Sequence, residues 1–309
     1  MTTVLISHPA CLDHLTPLGH PERPDRLRAV EQALEAEKFS TLAREQAPTA
    51  PFEIIALCHP MEYVELIRRA SPSEGMVRLD ADTSMSPGSF EAALRGVGGA
   101  MLGVDEVMTK KAKNVFSATR PPGHHAETAR PMGFCLFNNA AIAARYAQDR
   151  YGVERAAIVD FDVHHGNGSQ DIFWADKTVM YCSTHEMPLY PGTGSLSERG
   201  EFNTIVNAPL SAGDGGDEFR QAFEMVILPR LRGFRPEIIV ISAGFDAHMR
   251  DPLANLNLVE ADFAWATQKI MDVAEQSAEG RVVSLLEGGY DLEGLAGSAA
   301  AHVTALMGG

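Results

Sequence analysis

Two carboxylates and an imidazole in this chain stand where a divalent cation could be held with coordination positions to spare. Asp162 and His164 lie in the run Ile158-Val159-Asp160-Phe161-Asp162-Val163-His164-His165-Gly166-Asn167-Gly168, and Asp246 closes a second apolar run, Ile238-Ile239-Val240-Ile241-Ser242-Ala243-Gly244-Phe245-Asp246. Each run reads as a buried strand with polar side chains spilling from its C-terminal end, the edge at which ligands bind in open parallel sheets. Two carboxylates with one neutral imidazole form a mixed hard and borderline donor set, suited to Zn²⁺ and also to Fe²⁺, Co²⁺ or Mn²⁺. Three protein ligands leave room for water and a substrate oxygen, as in catalytic sites; structural zinc sites are closed by four.

Short β-branched runs alternate with longer amphipathic ones, which predicts an α/β fold: one open parallel sheet flanked by helices. Strands are expected over 3–7, 114–118, 156–162, 178–183, 203–207, 237–242 and 281–286, and helices over 23–37, 60–70, 87–109, 138–151, 217–233, 260–276 and 292–306. No repeat or linker-like stretch interrupts the pattern, so residues 1–309 are expected to form a single domain. The connections over 9–22, 119–134 and 184–201 are long and rich in Gly, Pro and His, as active-site loops often are. Chemistry-bearing residues fall just past five predicted strands: His124 and His125, the Asp160–Asn167 run, Ser183 with His185, Asp246, and Glu287 through Tyr290. That placement predicts one common cavity.

Composition narrows the function classes. A net charge of −15 argues against nucleic acid as a ligand, since phosphate binding needs a basic surface. An acidic surface attracts cationic substrates such as basic protein tails or polyamines, although acidity for solubility alone is the more common reason for such a charge. No apolar stretch is long enough to span a membrane, and the N-terminus reads as a first strand rather than a signal peptide. The four cysteines, Cys11, Cys58, Cys135 and Cys182, are far apart, so a reduced cytoplasmic protein without disulfides is expected.

Six blocks carry a resemblance: Arg120-Pro121-Pro122-Gly123-His124-His125-Ala126, Gly133-Phe134-Cys135, Asp160 through Gly168, Tyr190-Pro191-Gly192-Thr193-Gly194, Ser242 through Asp246, and Glu287-Gly288-Gly289-Tyr290. Together they resemble the histone deacetylase superfamily, and His20-Pro21-Glu22-Arg23-Pro24 is similar to its class II and acetylpolyamine amidohydrolase branch, in a bacterial form. The blocks keep the family's order and run from about residue 8 to 295, nearly the whole chain. The resemblance implies the arginase/deacetylase fold, with a sheet of about eight strands.

It also implies a metal-dependent amidohydrolase that removes acetyl or short acyl groups from lysine side chains. Attack by metal-activated water would be assisted by a histidine general base, because a site with two carboxylate ligands acidifies its water less than three imidazoles would. By resemblance His125 is that base and acid, His124 an electrostatic partner, and Asp160 and Asn167 stand behind His124 and His125 respectively. A carboxylate behind a ring favours imidazolium, whereas a neutral amide stabilises charge far less. Tyr290 is the implied oxyanion donor, where several relatives carry His. Zn²⁺ on Asp162, His164 and Asp246 is the implied metal, with Fe²⁺ or Co²⁺ as alternatives. K⁺ is implied beneath the site on Asp160, Ser183 and the carbonyls of Asp162 and His164.

For substrate, the resemblance places Phe134 and Tyr190 as tunnel walls, Gly133 as a backbone contact and Asp82 at the mouth. Leu253 occupies a position where polyamine-selective eukaryotic relatives carry Glu, which tilts the expectation toward an acyl-lysine peptide or protein and leaves acetylated polyamines or other small amides as the alternative. His165 is expected to bond within the core; of the remaining histidines, His20 and His248 are the two expected nearest the rim. A homo-oligomer is left open.

Overall fold

The computed structural model describes residues 2–308; Met1 and Gly309, the ends of the expected 1–309 span, lie outside the described residues. Its strands are, in chain order, β1 Thr2–Ser7, β2 Ala43–Gln46, β3 Val77–Arg78, β4 Ser84–Met85, β5 Ala112–Ser117, β6 Ala156–Asp160, β7 Val179–Glu186, β8 Ile205–Leu210, β9 Ile238–Ala243 and β10 Val282–Leu286. Eight of them form one sheet in the order β2-β1-β5-β10-β9-β6-β7-β8, every neighbouring pair parallel. β3 and β4 make a separate antiparallel ribbon.

Both faces of the sheet are covered, and this is why its central strands read as continuous apolar runs rather than alternating ones. Ala157, Val159, Ile239, Ile241 and Val282 pack into one apolar cluster with the helices Pro24–Ala33, Gly216–Ala222, Leu228–Phe234, Glu260–Ser277 and Leu292–Leu306. Their neighbours Ala156, Ile158, Ile238, Val240 and Val283 pack into the opposite cluster, under the helices Phe52–Ile55, Met61–Ala70, Ser89–Met108 and Asn139–Tyr151. The five strands whose C-terminal ends carry the candidate residues, β5, β10, β9, β6 and β7, are consecutive neighbours in the sheet. Their loops therefore open onto one shared edge.

Several expected boundaries move. β6 ends at Asp160 rather than 162, so Asp162 leaves the ladder and its side chain is free to turn toward the loop. The strand expected over 203–207 is Ile205–Leu210. β2 has no counterpart among the expected strands; its sequence Ala-Arg-Glu-Gln is polar and largely exposed at the sheet edge, so it carries no apolar signal. The helix expected over 217–233 is broken into Gly216–Ala222, a widened π turn over Phe223–Ile227, and Leu228–Phe234. Pro229, which cannot donate a backbone hydrogen bond, sits just past the widened turn. The helix Asn167–Phe173 is also unforeseen, hidden in a Gly-, His- and Asn-rich run. Among the described residues no helix is long and apolar enough to cross a membrane, and all four cysteines are free and buried.

The long helix Ser89–Met108 lies against the segment after β2, where Ala50 N–H donates to the Leu94 carbonyl at 3.1 Å. A Cβ on Gly98 would lie 1.7 Å from the Pro48 carbonyl oxygen. Gly98→Ala must push the segment off the helix, and overpacking of this kind costs about 1–3 kcal/mol. The expected result is a lower urea midpoint at unchanged m-value; an unchanged midpoint would show that the segment yields freely.

Candidate active site

Past β6 the chain turns so that Asp162 and His164 face Asp246 from the end of β9. One ligand atom from each lies within 4.8 Å of the others, and all three residues are buried. His164 Nδ1 is 3.2 Å from Asp162 Oδ1 and 3.0 Å from Asp246 Oδ2. Backbone amides aim the carboxylates: Gly288 N–H donates to Asp162 Oδ2 at 2.8 Å, His164 N–H to Asp162 Oδ1 at 2.9 Å, and Val163 N–H to Asp246 Oδ1 at 2.9 Å. The carboxylates lie against bare backbone, since a Cβ on Gly244 would meet Asp162 Oδ2 at 2.0 Å and one on Gly288 would meet Asp246 Oδ2 at 2.2 Å. Burial disfavours charge on His164, yet hydrogen bonds to Asp162 and Asp246 outweigh it and push its pKa up to about 10. A proton thus occupies the point where three donors converge, and a divalent ion that displaced it would balance both carboxylates. The donor set fits a catalytic metal ion.

The tandem histidines lie beside this trio, their rings 4.0 Å apart, and differ in what stands behind them. His124 Nδ1 is 3.0 Å from Asp160 Oδ2, and its Nε2 is 3.8 Å from Asp162 Oδ2. Burial works against a charge on His124, but Asp162 and Asp160 overcome it and hold its pKa well above the ordinary value. His125 Nδ1 is 2.8 Å from Asn167 Oδ1. Burial, then the charges of His124 and His164, keep the His125 pKa well below the ordinary value. Asn167 spends its Nδ2 on Glu127 Oε1 at 2.8 Å and Met132 Sδ at 3.3 Å, so its oxygen must face the ring. An amide oxygen only accepts, so His125 carries its proton on Nδ1 and exposes the lone pair of Nε2.

Above these rings opens a cavity of about 230 Å³ lined by Asp82, His125, Gly133, Phe134, His164, Leu189, Tyr190, Leu253 and Tyr290. All five expected substrate contacts, Gly133, Phe134, Tyr190, Leu253 and Asp82, are on that wall, together with the expected oxyanion donor Tyr290. Leu189 joins them without any signal in the sequence. Phe134 holds φ +69°, a conformation costly for an aromatic residue, and is pinned there by Thr83 Oγ1 accepting its N–H at 3.0 Å and by the His20 ring edge-on at 4.6 Å. Asp82 Oδ1 accepts the N–H of Gly133 at 3.1 Å. His20 packs on Phe134 from outside the cavity wall, and His248, which accepts the Arg250 N–H at 3.2 Å, does not line the cavity either. His165 pairs with Thr193 Oγ1 at 2.7 Å, inside the core as expected. Ser183 is the ladder partner of Asp160 across β6 and β7, and its Oγ lies 2.8 Å from His185 Nδ1.

The histone deacetylase domain model matches residues 20–306 of this sequence. The chain belongs to the histone deacetylase family. It is 40% identical over 277 residues to the histone deacetylase-like amidohydrolase of Pseudomonas aeruginosa, covering 88% of this chain and 73% of that protein. It is 38% identical over 304 residues to a probable deacetylase of Archaeoglobus fulgidus, covering 95% and 83%. The crystal structure of the HDA15 HD domain matches with a TM-score of 0.94 at 36% identity, over 99% of this chain and 88% of that one. The sheet and its helices are thus the arginase/deacetylase fold, and the chemistry is that of a deacetylase-type amidohydrolase.

Within this histone deacetylase site, several residues inside the motifs and others outside them carry structural work that their positions in sequence did not reveal. Glu287 Oε2 accepts the N–H groups of Gly123 at 2.6 Å and His124 at 3.2 Å, and Oε1 accepts from Ser242 Oγ at 3.1 Å. Burial pushes its pKa up to about 7 against the pull of His124. Asp251 Oδ2 accepts the Tyr290 N–H at 2.7 Å, and Tyr181 donates to Asp160 Oδ2 at 3.0 Å. Glu22, Arg26 and Arg120 are fully buried. The family blocks marked where to look; only the fold shows these charged side chains inside.

Because the imidazolium of His164 must give up its proton to become a ligand, Zn²⁺ loading at about pH 8 should release about one proton from this site. Calorimetry in two buffers of different ionisation enthalpy reads the number directly. Gly288→Ala, which crowds both carboxylates, should weaken Zn²⁺ binding by about 10- to 100-fold in a chelator competition; proton-neutral binding, or an unweakened variant, would contradict this account of the trio.

Proposed function

We propose that this chain hydrolyses the amide of acetyl-lysine, or of lysine bearing another short acyl group, in a peptide or protein, with Zn²⁺ held by Asp162, His164 and Asp246. The observation that carries the reading is the unequal pair behind the catalytic rings: a carboxylate at His124 and an amide oxygen at His125. Bound at the trio, Zn²⁺ supplies Lewis acidity that polarises an acyl carbonyl and acidifies water. His125, neutral with Nε2 free, takes the proton from the attacking water and passes it to the leaving amine. His124, cationic, orients the water and offsets the negative charge that develops. The Tyr290 hydroxyl donates to the oxyanion.

The cavity walls fit the rest of the substrate. Phe134, Leu189, Tyr190 and Leu253 offer apolar surface to an aliphatic lysine stem, which loses its water there at little polar cost. Asp82 at the same cavity also gives a cationic amine something to meet, so acetylpolyamine hydrolysis is the second reading. K⁺ on Asp160, Ser183 and the carbonyls of Asp162 and His164, and a cytoplasmic setting in keeping with four buried free thiols, complete the proposal.

The test is kcat/KM of Zn²⁺-loaded protein on an acetyl-lysine peptide and an acetylated polyamine, with Tyr290→Phe as the blank. A preference for the peptide of about tenfold or more is expected, and loss of the Tyr290 hydroxyl should lower kcat by about 100- to 1000-fold. The reverse preference would overturn the lysine reading and keep the chemistry. For pH, Asn167→Asp sets an anion behind His125 and raises its pKa. A base with a raised pKa stays protonated to higher pH, so the acid limb of kcat/KM should move up by about one unit or more. An unmoved limb would assign the base elsewhere.

A further inference from the structure

Glu22 sits at the centre of a buried charge cluster that lies outside the metal trio and does not itself line the cavity. Glu22, Arg26 and Arg120 are each 0% exposed. Arg120, which opens the loop carrying His124 and His125, pairs with Glu22 through Nε and, at 2.6 Å, through Nη2. The same guanidinium donates to the Cys11 carbonyl at 2.8 Å and the His14 carbonyl at 3.2 Å. Arg26 reaches Glu22 Oε1 at 3.1 Å, and donates to the carbonyls of Gly289 and Glu287, both at 2.5 Å. Those carbonyls belong to the backbone that delivers Tyr290, and the Arg26 guanidinium lies 4.8 Å from the Tyr290 ring centre. His14 Nε2 is 3.4 Å from the other Glu22 oxygen.

We propose that Glu22 is a positioning residue: through Arg120 and Arg26 it fixes the loop of the histidine pair and the loop of Tyr290 in one relative placement. The proposal rests on the hydrolytic reading above for its kinetic part. Both buried guanidinia share this one carboxylate, and replacing the anion leaves their positive charges uncompensated, with backbone carbonyls as their remaining acceptors. Glu22→Gln keeps the volume and one acceptor but removes the charge and turns two N–H donors toward guanidinium donors. Arg26 then has reason to leave the Glu287 and Gly289 carbonyls. The Tyr290 hydroxyl would lose its aim, while Asp162 and Asp246 would keep the His164 and Val163 amides and give up at most the one from Gly288. A misplacement of about 1 Å at a reacting group costs on the order of 100-fold in rate.

The test uses full-length Zn²⁺-loaded protein made with fluorotyrosine, in which the Tyr290 resonance is identified by its loss in Tyr290→Phe. Glu22→Gln should shift or broaden the Tyr290 resonance, leave in place those of Tyr63 and Tyr146, which pack in the apolar cluster on the other face of the sheet, and keep the zinc content. On the acetyl-lysine peptide kcat should fall about 10- to 100-fold with KM within about twofold, while the same change in a Tyr290→Phe background should cost less than about twofold. Glu22→Asp, which keeps the charge, should recover part of kcat, and it carries the spectral test if Glu22→Gln does not fold. An unmoved Tyr290 resonance in folded variants, or an equal loss of kcat with and without the Tyr290 hydroxyl, would overturn the proposal. An inactive wild-type protein would sink the hydrolytic reading instead, and the fluorine spectra would still decide whether Glu22 holds Tyr290.

Discussion

Asp160, Asp162 and Asp246 place three carboxylates in the sheet's C-terminal edge with 0%, 1% and 0% exposure, and a charge buried without a partner costs several kcal/mol. Much of the surrounding architecture answers that constraint. Backbone amides of Val163, His164 and Gly288 donate to the two carboxylates of the trio. His124 and Tyr181 serve Asp160. The remaining imbalance suits the trio to holding a cation. Parallel strands suit this arrangement, because five neighbouring strand ends open onto one edge and their loops can converge on one point.

The same buried charge separates two adjacent imidazoles into unlike states. His124 shares its Nδ1 proton with a carboxylate, and its positive charge then opposes a second one on His125. Asn167, locked by Glu127 and Met132, offers His125 an acceptor but no negative charge. One ring is set to donate and the other to accept, the division of labour that the proposed amide hydrolysis would use. Farther out, the construction changes character. Tyr190 and Leu253 are 38% and 36% exposed at the mouth, so under the proposed function substrate choice would reside in side chains that can be exchanged without disturbing the floor.

The centre of this site was legible because its residues are contiguous and follow strand ends: the Asp160–Asn167 run, the Phe245-Asp246 pair and the tandem histidines announce themselves by type and spacing. Seven of the eight strands of the parallel sheet were legible for the related reason that strands buried on both faces are apolar throughout; the count of about eight came with the family resemblance. What stayed hidden has physical causes. β2 is a polar edge strand whose pairing depends on β1, not on its own side chains. Glu22, Arg26 and Arg120 were quoted within or beside motifs, but charged residues are ordinarily at the surface, and only tertiary pairing shows that these three are inside. Leu189 enters the cavity by loop geometry alone.

The most direct test of the account is nitrogen NMR of the histidine rings in the Zn²⁺-loaded protein near neutral pH, with His124→Ala and His125→Ala spectra for assignment. The account predicts His124 protonated on both ring nitrogens and His125 neutral, with its proton on Nδ1 and an unprotonated Nε2. Two neutral rings, or a cationic His125 beside a neutral His124, would contradict it.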